Sequence, residues 1–398
     1  MKALDGLRLL DLTHILSGPY ASLLLADLGM ETIKIEPPGR GEATRSLLAD
    51  DPIHTLHGMG AYFLTLNRNK KSLTLNLKSE QGRGLFYELV QQADVVLDNF
   101  RAGVTGKLGI DHDRLAAINP RIVTCSITGF GETGPDRDRA AFDLVVQAIS
   151  GGMSITGQPG NPPTRAGIPF ADLGSGVMAV AGILAALLAR STTGRGQHVD
   201  ISMLDTQISL LNYIVTTSLM SGDIPQAIGN QHFAHVPYDA FPAQDGWIII
   251  AVLVDDQWRK LVEVLDLPEL DTPAHAHPMG RRDHRETITQ ALSERLKTQP
   301  TDHWLMTLRQ ADIPCGPVNT VSQALADPQV AAREMLVDVP HSMGGSVRAP
   351  GNPIKLSEDM GGAIIPPPLL GQHTEEVLRD LLGKSAQEIA VLREAGVV

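Results

Sequence analysis

Asp172 is the residue of this chain best placed to do chemistry. It stands directly ahead of a small-residue turn containing Gly174 and Gly176 and an apolar run from Val177 to Ala189. An aspartate in that position has an ordinary use, capping the helix by accepting hydrogen bonds from its first N–H groups. It has a second use if the glycines leave room for a ligand, because a carboxylate can act as a nucleophile or as an acid–base group. The two uses are compatible, since a carboxylate at a helix start is held ionised. His14 is a second candidate, in the loop after the first apolar segment. Arg68, Lys70, Lys71, Lys78, Arg101 and Lys107 make a basic cluster in an otherwise acidic chain. Such a cluster is either a solvated face or a place for phosphates. Phe142-Asp143 reads as packing and a cap, with the carboxylate available as a helper. The histidines have no metal-ligand spacing, and Cys125 and Cys315 form no metal or disulfide pattern.

The elements that must position these groups follow from hydrophobic periodicity. Leu7 to Leu12 predicts a buried strand, Tyr20 to Leu28 a helix closed by Gly29, and Glu31 to Glu36 a second strand. This β-α-β unit implies a parallel sheet with right-handed crossovers. After a loop from Pro37 to about Tyr62, further strands are expected at Ser72 to Leu77, Val95 to Asp98, Arg121 to Ile127 and His198 to Ser202. Helices are expected at Ser79 to Gln92, Asp111 to Ile118, Phe142 to Ser150, along the Asp172 segment, and from Leu204 to about Leu219. The fold class is therefore α/β, with a large Rossmann-like domain built on a doubly wound parallel sheet. His14 and Asn99-Phe100-Arg101 fall at carboxyl ends of strands, where such sheets bind ligands. No GxGxxG follows the first strand, which argues against a dinucleotide pyrophosphate site.

From Pro237 the texture changes. Tyr238 to Pro242 and Gly246 to Ala251 predict a hairpin, followed by helices at Gln257 to Leu265, Arg281 to Leu296 and Thr301 to Ala311. The expected division is a large domain over 1–225, a smaller α+β domain over 226–328, and a C-terminal segment over 329–398 that returns to the large domain. Ile364 to Leu370 is its linker and Thr374 to Leu382 its helix.

A net charge of −12 excludes nucleic acid or an anionic membrane as the main partner. The N-terminus is interrupted by Asp5 and Arg8, unlike a signal peptide. The run Val177 to Ala189 is short of the roughly 20 residues that span a bilayer, so a buried helix and a cytoplasmic protein are expected.

Several motifs in order carry a resemblance. They are Asp11-x-Thr13 with Gly18-Pro19, Leu25-Ala26-Asp27-Leu28-Gly29, Ile33-Lys34-Ile35-Glu36, Asn69-Lys70-Lys71-Ser72 and Asp98-Asn99-Phe100-Arg101. Further on come Gly129-Phe130-Gly131 with Gly134-Pro135, then Asp172, then Thr193-Gly194-Arg195-Gly196-Gln197 with Val199-Asp200. Across essentially the whole chain this set resembles the class III CoA-transferases (CaiB/BaiF type). That family includes formyl-CoA, carnitine and succinyl-CoA transferases together with α-methylacyl-CoA racemases. The resemblance implies that Asp172 is the catalytic aspartate. It implies that His14, Leu16, Ser17, Leu75, Lys78, Asn99, Phe100, Arg101, Lys107 and Arg139 contact CoA, with the basic cluster on its phosphates. It also implies acyl-CoA and a carboxylic acid as substrates, no permanently bound cofactor, and an interlocked homodimer. Pro37 stands where some members carry an arginine, with Arg40 or Arg45 placed to replace it. Val252 to Asp256 lacks the glycines of a family loop.

A racemase of this family needs a histidine where this chain has Phe142, and phenylalanine cannot exchange a proton. A transferase needs one nucleophilic carboxylate and N–H donors for the oxyanions, which the turn around Gly174 could supply. The expected activity is thus CoA transfer through Asp172. A racemase-type isomerase, a nucleotide-binding oxidoreductase and a non-catalytic acyl-CoA-binding module are the alternatives. Leu265-Asp266-Leu267-Pro268, Ile313-Pro314-Cys315-Gly316 and Pro366-Pro367-Pro368 resemble the dicarboxylate-using, succinate–hydroxymethylglutarate type, which makes succinyl-CoA the expected donor.

Overall fold

The computed structural model describes residues 2–358 and 361–398. Two compact units divide the chain. One holds the residues up to Gly152 together with Arg165–Asp223 and Ala332–Val398; the other holds Met153–Thr164 and Ile224–Ala331.

The larger unit is built on a six-stranded sheet. Its strands are β1 (Arg8–Asp11), β2 (Glu31–Glu36), β3 (Lys70–Thr74), β4 (Val95–Asp98), β5 (Val123–Thr128) and β6 (His198–Ser202). All pair in parallel, in the spatial order β3-β2-β1-β4-β5-β6. The order reverses between β1 and β4, which makes their carboxyl ends the topological switch point of a doubly wound sheet.

Alternate side chains feed opposite faces of this sheet, as the period of two requires. Leu9, Val95 and Leu97 join one core with helix α1 (Ser17–Asp27) and helix α5 (Phe170–Thr193). Leu10 and Val96 join the other, with α2 (Glu80–Val90), α3 (His112–Ile118) and the C-terminal helices Thr374–Leu382 and Ala386–Glu394. Covering both faces is what makes these strands near-continuous apolar runs.

Small residues let α5 lie close. A Cβ on Gly176 would stand 2.7 Å from the Ser17 carbonyl oxygen on α1, and one on Gly182 would stand 2.7 Å from Val199 of β6. A Cβ on Gly174 would meet Leu210 and Thr206. The glycines beside Asp172 therefore admit neighbouring helices and not a ligand, contrary to the sequence expectation.

Other departures have local causes. Helix α5 starts at Phe170, two residues before Asp172, and runs 24 residues, long and apolar enough by composition to cross a membrane. One side packs on α1 and the sheet, while Val177, Met178 and Leu188 are exposed. The single helix expected after β6 is two, Met203–Leu211 and Tyr213–Ser221, broken at Asn212 with φ 45°. No glycine or proline stands at that break. Helix Ala386–Glu394 was not anticipated, although Ser385 and Glu388 form a capping box legible in the sequence.

The smaller unit contains the antiparallel strands Tyr238–Pro242, Trp247–Ala251 and Cys315–Pro317. Helices Asp255–Val264, Arg285–Leu296 and Thr301–Gln310 pack Trp258 and Trp304 against Phe241, Ile248 and Ile250.

Candidate active site

The turn leaving β1 is shaped by buried charge. Asp11 is fully buried, and its carboxylate accepts from the Thr13 N–H at 2.9 Å and the Ser22 hydroxyl at 2.6 Å. Lys70 reaches it at 3.2 Å, and its ammonium also donates to Pro19 O, Ser22 Oγ and Asn67 Oδ1. Lys34 donates to Thr13 O at 2.7 Å. Burial alone would raise the Asp11 pKa, but Lys34, Lys70 and the hydroxyls of Ser22 and Thr13 bring it down to about 2. Burial pushes Lys70 down to about 8 against the opposing pull of Asp11. Gly18 completes the turn, since any Cβ there would stand 2.3 Å from the Thr13 side chain.

This scaffold holds a strained residue. Ile15 has φ 66°, a left-handed conformation that β-branched residues avoid. Such strain costs on the order of 1–3 kcal/mol and persists only where the surroundings over-determine it. Asn99, just past β4, does much of that: its amide accepts from His14 N at 2.9 Å and donates to His14 O at 2.7 Å.

Two cavities open at the carboxyl ends of the strands. The larger, about 680 Å³, lies over β1, β2 and β3 and is lined in part by Leu12, Arg40, Leu75, Lys78 and Leu108. The smaller, about 100 Å³, lies over β1, β4 and β5 and contains Asp172. His14 and Phe100 line both, with ring centroids 5.6 Å apart. Burial and the nearby Lys34 hold the His14 imidazole below its usual pKa, so it is neutral at pH 7.

Asp172 sits in the first turn of α5 and does not cap it. The cap comes from Asp143, at the start of α4 (Asp143–Ile149). Its Oδ1 accepts from Ala171 N at 2.9 Å and Asp172 N at 3.3 Å. Its Oδ2 accepts from Gln147 at 2.7 Å. With those N–H groups occupied, and Gly174 inside the helix, the oxyanion donors expected around Gly174 are not offered there. Asp172 is not held ionised as expected for a capping carboxylate. Burial, with the Asp143 charge adding, pushes its pKa up to about 7. The cavity thus holds a partly desolvated carboxylate poised near neutrality, which is the condition for a reactive nucleophile or acid–base group.

The structure brings most of the anticipated residues together. His14, Leu16, Ser17, Asn99, Phe100, Arg101 and Arg139 share the smaller cavity with Asp172, while Leu75 and Lys78 line the larger. Lys107 lines neither; it is exposed at the end of Val104–Leu108, and its neighbour Leu108 faces the larger cavity. Half of the basic cluster lies elsewhere. Arg68, Lys70 and Lys71 are at the amino end of β3, paired with Asp27, Asp11, and Glu31 and Glu376 respectively. Of the two replacements for Pro37, Arg45 is locked bidentately on Glu36 and stacked over Phe63, whereas Arg40 lines the larger cavity. Arg137 also lines the Asp172 cavity. Burial, with the charges of Asp172 and Asp143 adding, raises the Tyr62 phenol pKa.

Comparison with known proteins is decisive at this point. The family described as CoA-transferase family III matches residues 4–374. The chain belongs to CoA-transferase family III. An acetyl-CoA:oxalate CoA-transferase of Acetobacter aceti is 42% identical over 358 residues, covering 89% of each chain. The human succinyl-CoA:glutarate CoA-transferase is 36% identical over 399 residues, covering all of this chain and 90% of the relative. The crystal structure of a CAIB/BAIF family protein from Brucella suis superposes with a TM-score of 0.84 at 37% identity, covering 96% of this chain and 99% of that one. As a family III CoA-transferase, this enzyme moves CoA between an acyl-CoA and a carboxylate. CoA esters are the substrates of this family.

Proposed function

We propose that this transferase works through covalent catalysis at Asp172, with CoA held by His14, Leu16, Ser17, Leu75, Lys78, Asn99, Phe100, Arg101 and Arg139. The observation that carries the reading is the position of Asp172. A carboxylate pushed up to about 7 stands in a small cavity joined through His14 and Phe100 to one of about 680 Å³. The large cavity suits the nucleotide end of CoA, with Lys78 and Arg40 as phosphate partners, and the small one suits the thioester. Lys107, exposed and lining neither cavity, is left out of this set.

In this mechanism the Asp172 carboxylate attacks the donor thioester carbonyl, forming a mixed anhydride and expelling CoA thiolate. The thiolate attacks the aspartyl carbonyl, releasing the donor acid and leaving an aspartyl–CoA thioester. The acceptor carboxylate then attacks that thioester, expelling thiolate and forming a second anhydride. Thiolate attack on the acceptor carbonyl gives the new acyl-CoA and regenerates the carboxylate. Charge and atoms balance without any oxidant or reductant. The phenyl ring of Phe142 lines the Asp172 cavity and offers no proton-transfer group for racemisation.

Succinyl-CoA is the proposed donor and a dicarboxylic acid the proposed acceptor, in keeping with the succinyl-CoA:glutarate relatives. Arg137, which lines the small cavity and is not among the groups assigned to CoA, suits a second carboxylate. An interlocked homodimer is proposed as well. Leu188, Leu219 and Met220 are each more than 70% exposed, and burying such side chains between copies is favourable. The test incubates the enzyme with succinyl-CoA or acetyl-CoA and glutarate, oxalate or propionate, following product masses. The mechanism predicts an aspartyl hydroxamate at Asp172 after hydroxylamine trapping; an adduct on another residue, or transfer surviving Asp172→Ala, sinks it.

A further inference from the structure

Asp98 closes β4 beneath the Asn99-Phe100-Arg101 turn and is only 5% exposed. Its partners are neutral donors: the Phe100 N–H reaches Oδ1 at 3.1 Å, and the Ser126 hydroxyl reaches Oδ2 at 2.8 Å from the paired position on β5. Among the described residues the charged groups facing it are Glu132 and His198, which contact one another at 3.0 Å and act on it in opposite senses, neither touching its carboxylate. A buried carboxylate without a cation is costly to keep. The cost is compensated where the group fixes a backbone shape that nothing else would fix.

The shape in question is an Asx-type turn. Asp98 pulls the Phe100 N–H back toward the strand. That directs the Asn99 amide sideways onto His14 N and O and onto Ser17 Oγ at 3.3 Å, and sets the Phe100 ring against His14. Phe100 lines both cavities, whereas Asp98 lines neither. We infer that Asp98 is a positioning residue for the CoA ester: through its hydrogen bonds to Phe100 and Ser126 it fixes the turn that the ligand crosses between the two cavities. The inference rests on the CoA-binding reading of this crevice.

The test is calorimetric titration of the full-length enzyme with CoA, combined with initial rates of transfer, for Asp98→Ala, Asp98→Asn and Ser126→Ala. Asp98→Ala is expected to weaken CoA about tenfold and raise KM by a similar factor, with kcat at saturation within about threefold of wild type. Asp98→Asn retains an oxygen for the Phe100 N–H and is expected to stay within about threefold in both constants. Ser126→Ala removes one of two anchors and is expected to weaken CoA about threefold; it carries the test if Asp98→Ala does not fold. Asp98→Ala or Ser126→Ala binding CoA like wild type overturns the inference, as does Asp98→Asn failing as badly as Asp98→Ala. Wild-type enzyme that does not bind CoA overturns the reading of the crevice itself, an outcome distinct from wild-type binding with indifferent variants.

Discussion

The Asn99 side-chain amide clasps both backbone groups of His14, accepting at 2.9 Å and donating at 2.7 Å. One side chain thereby zips together the loops leaving β1 and β4, the two strands that flank the reversal of strand order. In a doubly wound sheet those loops normally part to admit a ligand's phosphates. Here an amide occupies the seam, and a cavity lies to either side.

Asn99→Ala should open that seam and release the strained Ile15. The expected outcome is a rise of about tenfold or more in KM for acyl-CoA, two hydrogen bonds being lost from a partly buried site. Asn99→Asp should be nearly as damaging, because its oxygens cannot donate to His14 O. Titration with CoA checks both; a dissociation constant unchanged in Asn99→Ala would remove the clasp from the binding argument.

Asp172→Asn should cost at least about 10³-fold in transfer, the scale of losing a covalent nucleophile. It should also stabilise the protein at alkaline pH. The folded pKa of Asp172, about 7, lies above the unfolded value, so the native state binds more protons between roughly pH 4 and 7. Stability therefore falls as pH rises through that window. At pH 8 the variant should be more stable by about 4 kcal/mol, and at pH 4 the difference should nearly vanish. Thermal melting at the two pH values tests this directly.

Asp143→Asn should separate its two roles. The amide oxygen can still cap α5, but the negative charge beside Asp172 is gone. If transfer needs ionised Asp172, the wild-type rate rises with pH through about 7, and the variant's midpoint moves lower. Asp143→Ala should lose the cap as well, at a cost of about 1 kcal/mol. A pH–rate midpoint identical in Asp143→Asn and wild type would show that the two carboxylates do not interact.

Lys70→Met should strand Asp11, a fully buried carboxylate, without its ammonium partner. Breaking a buried pair from one side costs about 3–5 kcal/mol. Adding Asp11→Asn should recover part of the loss, since the remaining group is then neutral. Urea midpoints of the single and double variants measure this coupling.

Gly176→Ala should push α5 away from α1, because the new Cβ meets the Ser17 carbonyl at 2.7 Å. The expected destabilisation is about 1–3 kcal/mol, the range for overpacking. The Ser17 turn should shift with it, weakening CoA. A melting temperature equal to that of wild type would mean the two helices accommodate the methyl group.

The sequence by itself determined the alternation of strands and helices, since apolar period and turn residues act locally. Of the ten side chains that the resemblance assigned to CoA, nine line a cavity in the structure, seven of them the one that also holds Asp172. Local signals could not assign the cationic residues. Lys70 and Lys78 look alike in the sequence, but strand direction puts the first at the amino end of β3 against Asp11 and the second at the open mouth of a cavity. Nor could they tell which aspartate caps α5. The cap comes from Asp143, 29 positions upstream, so only packing of α4 against α5 decides it. Tertiary structure also decided the charge state of Asp172. Burial and a second carboxylate raise its pKa to about 7, where a helix N-terminus alone would have lowered it.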